Sequence, residues 1–256
     1  LMDRMQAAGV PPAVIHLPTL LWSAIASGRV PMAELRQAVR RNKARLPAYL
    51  AFVEALSRGR HRDMAVSLLA ALPTPAAVEA VDRIAQAAEE RGEAEHVLWA
   101  AEALHRLELA PERAMALAAT AAAIQGNRRA AADYLAQAIA LGPDQPGIYA
   151  RAARIHLALG DPGQLKAAAA KAVMLGSADA FAAAVVAIGL LEQGQKREAR
   201  KIFAVQRYGD SLGASLAHIA QAAIVAADEE FDDAARVMEL ATQELPDIPS
   251  WLRSET

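Results

Sequence analysis

Glycine recurs along this chain at an almost fixed interval. Gly28, Gly59, Gly92, Gly126, Gly160 and Gly194 are separated by 31, 33, 34, 34 and 34 residues, and Glu229 holds the next place 35 residues further on. Each lies in a short polar break between two segments with apolar residues at helical spacing. A glycine there ends a helix in the left-handed conformation that other residues resist, so the interval predicts a repeated helix–turn–helix unit. One such pair cannot bury its apolar face alone. Neighbouring pairs have to stack, and the stack supplies the core.

The rest of the pattern agrees. Small residues recur five places after the turn, at Ala33, Ala131, Ala199 and Ala234, and seven further on at Ala138 and Ala241. Small residues there let two antiparallel helices approach closely. Pro111, Pro143 and Pro246 fall where one pair should give way to the next, because proline cannot continue a helix. Composition points the same way: 65 of the 256 residues are alanine and only 4% are aromatic. Alanine is the best helix former, while strands favour aromatic and β-branched residues.

These features resemble the tetratricopeptide repeat family, whose unit is a 34-residue helix–turn–helix. The likeness is strongest over Glu112–Gly213 and in the last repeat, where Phe231, Ala234, Met238, Ala241 and Pro246 fit the family's second helix. The large residues of the family's first helix are mostly replaced: its Trp/Tyr place holds Met115, Tyr149, Ala183 and His218, and its later tyrosine place holds Ala122, His156, Leu190 and Val225. The resemblance implies an all-α protein, an α-solenoid of antiparallel helix pairs in a right-handed superhelix. Residues 1–256 would form a single array, with repeats at about 14–44, 45–77, 78–111, 112–145, 146–179, 180–213 and 215–248, and with 249–256 as a tail or partial cap.

In that family the first helix of each repeat lines a concave face. The resemblance places Trp22, Tyr49, Val53, Asp82, Gln86, Thr120, Arg154 and Ile188 there, with Ala116, Ala123, Ala150, Leu157, Ala184 and Leu191 between them. Such a lining is mostly apolar or small and suits a helix or an extended peptide, with Arg154 and Trp22 as anchors. The family's clamp subfamily holds a terminal carboxylate there with Lys, Asn and Arg; here those places are mostly apolar or small, which disfavours a clamp.

Charge is uneven. Residues 1–62 hold ten Lys/Arg against three Asp/Glu, while the whole chain has a net charge of −2. Arg40, Arg41, Lys43, Arg45, Arg58, Arg60 and Arg62 form a basic patch at helix ends and turns. Cations at helix C-termini balance the dipole. Alternatively the patch docks an acidic protein, or the acidic end of another copy. Nucleic acid is disfavoured, because no aromatic interleaving accompanies the charge. The carboxylates Glu89, Glu90, Glu93 and Glu95, and those of Asp228–Asp233, read as solvated turns or helix caps.

Catalytic chemistry has no foothold in the sequence. The six histidines form no HxxxH pair, and no nucleophile elbow, phosphate loop or cysteine occurs. No metal or cofactor is expected, and no apolar run is long enough to span a bilayer. The expectation is therefore a non-catalytic scaffold or adaptor binding a protein segment. Composition, with 22 Arg against 5 Lys, and the resemblance together point to a bacterial assembly, secretion or exopolysaccharide-export machine. Open alternatives are a helical arm of a larger enzyme or export porin, and a self-associating structural protein. Cytoplasm and periplasm are not distinguished.

Overall fold

A computed structural model describes residues 46–59 and 61–203, together with Ala33, Gln37, 218–221 and 223–224. Among these residues the protein is all-helical, without β-strands. Ten helices follow in order: α1 (Leu46–Arg58), α2 (Arg62–Leu69), α3 (Thr74–Glu90), α4 (Ala94–Arg106), α5 (Pro111–Ile124), α6 (Arg128–Leu141), α7 (Pro146–Ala158), α8 (Pro162–Met174), α9 (Ala180–Glu192) and α10 (Lys196–Phe203). The chain divides into two compact units, residues 1–86 with 102–110, and residues 87–101 with 111–256.

In the first unit α1 packs against α2. The Tyr49 hydroxyl donates to the Leu68 carbonyl at 2.6 Å inside this pair. Val53, Leu56, Leu68 and Leu69 are buried with it. The turn between the helices is closed by Arg62, whose Nε donates to the Ser57 carbonyl at 3.1 Å. Gly59 lies in that turn without a positive φ, so the left-handed conformation expected of it is absent. The arginine closes this turn in place of the glycine geometry used elsewhere. Arg106 pairs with Asp63 at 2.6 Å in the same unit, both side chains well exposed.

In the second unit α5–α6, α7–α8 and α9–α10 are antiparallel hairpins. The first helices also pack on each other, α5 on α7 and α7 on α9, and each second helix meets the next first helix. One buried cluster runs unbroken from α5 to α9, and eleven of its fourteen residues are alanine; Leu135, Ile155 and Phe181 are the others. No hairpin therefore has a core of its own, and the alanines keep the layers thin. This is α-solenoid packing.

Four glycine turns that follow a first helix share one construction, which recurs at Gly176 with φ 82° and, without glycine, at Glu108 with φ 55°. Gly92, Gly126, Gly160 and Gly194 have φ between 67° and 74°. In each, the glycine N–H donates to the carbonyl three residues back, and the next N–H donates to the carbonyl five back, as with Gly126 to Ala123 and Asn127 to Ala122. This is the Schellman closure that requires αL at the glycine. At two of them the following residue caps the second helix: Asn127 accepts from the Ala130 N–H and Asp161 from the Gln164 N–H, both at 3.1 Å.

The small residues behave as expected at Ala131, Ala138 and Ala199, which are fully buried. Ala33 is exposed, unlike these three. Ala234, Ala241 and the carboxylates of Asp228–Asp233 lie outside the described residues.

Candidate binding face

The expected lining divides three ways. Trp22 lies outside the described residues. Tyr49, Val53 and Thr120 are buried and do not line an open surface. Tyr49 and Val53 are large enough to fill the α1–α2 interface, and burial holds the Tyr49 phenol far above its usual range. Asp82 is half-buried and Gln86 exposed, both on α3 in the first unit. Arg154 and Ile188 remain accessible in part, in the second unit.

The burial of Thr120 has a clear cause. Its neighbours on the same face of α5, Ala116 and Ala123, are buried too, as are Ala150 of α7 and Ala184 of α9. Side chains this small allow the first helices to close up until their shared face is covered. The face opens only toward the helix ends. On α7 the sequence Ala150, Arg154, Leu157 passes from buried to half-exposed. On α9 Phe181 and Ala184 are fully buried, while Ile188 and Leu191 are half-exposed. Positions three and four apart share a helix face, so Arg154 and Leu157 on α7, with Ile188 and Leu191 on α9, form the accessible remainder.

Two charged struts start from α7, one at Arg154 and one at Arg151. The Arg154 guanidinium donates to Asp179 Oδ2 at 2.8 Å, with side-chain exposures of 17% and 21%. It also lies 5.2 Å from the centroid of the Phe181 ring. Asp179 caps α9 with its other oxygen, accepting the Ala182 N–H at 2.8 Å. Arg154 is thus held by its own chain, which fixes its direction. The second strut joins Arg151 of α7 to Glu89 at the end of α3, and the same guanidinium nitrogen reaches the Thr120 hydroxyl at 3.1 Å. Exposures are 23% for Arg151 and 15% for Glu89. Glu89 is therefore not the solvated turn residue its acidic neighbourhood suggests.

Arg151, Glu89 and Asp179 are absent from the lining expected from the sequence. Arg151 and Arg154 stand three apart in a helix that is otherwise small and apolar, which is a legible sign of two cations on one face. Their partners lie 62 and 25 residues away, and no local pattern points to them.

Of the basic patch, Arg58 pairs with Glu54 at 2.7 Å and Arg62 closes the α1–α2 turn. Arg40, Arg41, Lys43, Arg45 and Arg60 lie outside the described residues. Among the described histidines, His96 is buried and its ring meets Trp99 at 5.7 Å between centroids. Burial lowers the pKa of His156, against the opposing pull of Asp161.

Among the described residues no three His, Asp or Glu side chains stand close enough to hold a metal ion, and no helix is long and apolar enough to cross a membrane. No protein-family model and no curated protein matches the sequence.

Proposed function

We propose that this chain is a tetratricopeptide-like scaffold that binds a segment of another protein, and that the segment seats on the open ends of α7 and α9. The observation that supports this reading is that Leu157 is half-exposed on the face of α7 that carries the oriented cation of Arg154, as are Ile188 and Leu191 on α9. Apolar side chains give contact area, and a fixed guanidinium gives direction to a ligand that carries a carboxylate or a free carbonyl. The work of the chain is then to present a surface, and the setting we propose is a bacterial assembly, secretion or polysaccharide-export apparatus.

The test is capture of partner from the native lysate by the tagged protein, with the Ile188→Asp variant in parallel. Ile188 is half-exposed, so the aspartate is solvated and the fold is retained. Capture by the parent and its loss in the variant, at an unchanged denaturation midpoint, is the expected result. Equal capture by both chains removes this face as the binding site.

A further inference from the structure

We infer that the Glu89–Arg151 pair is a curvature lock, setting how tightly the first helices of the second unit close upon one another. Glu89 ends α3 and Arg151 lies on α7, so the pair skips a repeat and passes over α5. Both residues belong to the second compact unit. Ordinary solenoid packing couples a repeat only to its neighbours. A direct link between one repeat and the next but one therefore measures the bend of the stack itself, because it forms at only one curvature.

The floor beneath the pair makes the link possible. The covered face of α5 carries Ala116, Thr120 and Ala123, all buried. Thr120 turns its hydroxyl to the Ala116 carbonyl at 3.1 Å and to Arg151 at the same distance. A larger residue at position 120, whose hydroxyl meets Arg151, would displace the guanidinium from Glu89. Both charges are largely removed from water, where an ion pair brings little net stability but demands one geometry. The pair therefore acts on shape more than on stability. The inference does not depend on what the open face binds.

The chain has no cysteine, so two labelling sites can be introduced cleanly. Glu95→Cys on α4 and Gln164→Cys on α8 are exposed and flank the strut within the second unit. Spin labels there report the separation by pulsed electron paramagnetic resonance. The parent should give one narrow distribution. The double replacement Glu89→Met with Arg151→Met removes both charges of the pair together, so neither is left facing the other's absence. Its distribution should broaden and move to longer separation. Glu89→Gln, which keeps the size of the side chain and removes only its charge, is the second variant, and it decides the matter if the apolar pair does not fold. A smaller broadening is expected of it. An unchanged narrow distribution in a folded variant overturns the inference.

Discussion

Arg154 and Asp179 meet at 2.8 Å while the other oxygen of Asp179 accepts the Ala182 N–H in the first turn of α9. One carboxylate thus joins α7 to α9 and starts α9. Its two duties can be separated. Asp179→Asn keeps a capping oxygen and loses the ion pair. Asp179→Ala loses both and leaves the arginine largely buried without this partner. We expect a loss of about 1 kcal/mol for Asn and about 2–3 kcal/mol for Ala, read from urea denaturation. Equal losses would mean that the ion pair carries the whole effect and the cap none.

The glycines make a graded set. Gly126 and Gly160 have φ of +72° and +67° with open space where a Cβ would point. Alanine there should cost about 1 kcal/mol from backbone strain alone. Gly189 lies inside α9, also with open space, and alanine should stabilise by about 0.5–1 kcal/mol. At Gly142 an added Cβ would come within 2.8 Å of Ile148 Cδ1, so the expected loss arises from collision. Gly59 has neither a positive φ nor a close neighbour, and its alanine variant should lose nothing. Thermal midpoints of the five variants test the ranking.

Acid should weaken the fold through His156. Burial holds the pKa of this imidazole below its ordinary value of 6.5 in the folded chain, and Asp161 opposes the shift without reversing it. The unfolded chain therefore binds the proton more readily. The stability contributed by the neutral ring is complete above pH 6.5 and declines as pH falls from there toward the lower folded value. His156→Leu, which copies the residue one repeat on at Leu190, should flatten this limb between about pH 7 and pH 5. The check is the denaturation midpoint of both chains across that range.

Tyr49→Phe removes one donor to the Leu68 carbonyl inside the α1–α2 pair, a carbonyl that also accepts the Ala71 N–H at 3.0 Å. The ring keeps its volume, so the loss should reflect the hydrogen bond alone, about 1–2 kcal/mol by chemical denaturation. A neutral substitution would show that the carbonyl is satisfied without Tyr49.

The helical pairs and their turns were legible because each depends on residues a few places apart. The αL glycines at 92, 126, 160 and 194 follow from the interval and the polar residue after each. Gly59 broke the rule because Arg62 closes its turn from the side chain, a solution that the interval does not register. The accessible face was less legible, and alanine is the reason. Ala116, Ala150 and Ala184 recur at one place in each first helix and are all buried, but the periodicity says nothing of how near the next helix comes. Their smallness draws the helices together and removes Thr120 from solvent. Arg151 with Glu89 was out of reach for a different reason: the two stand 62 residues apart and meet only in the folded chain.

The joints with αL glycine bear on how such a chain can change length. At Gly126-Asn127 and Gly160-Asp161 one residue terminates a helix and the very next begins its partner, leaving no spare peptide between them. An added or deleted residue would throw the second helix out of register with the first. Growth by single insertions is thereby barred at these corners, and duplication or loss of an entire hairpin becomes the readiest path by which the array acquires a new size.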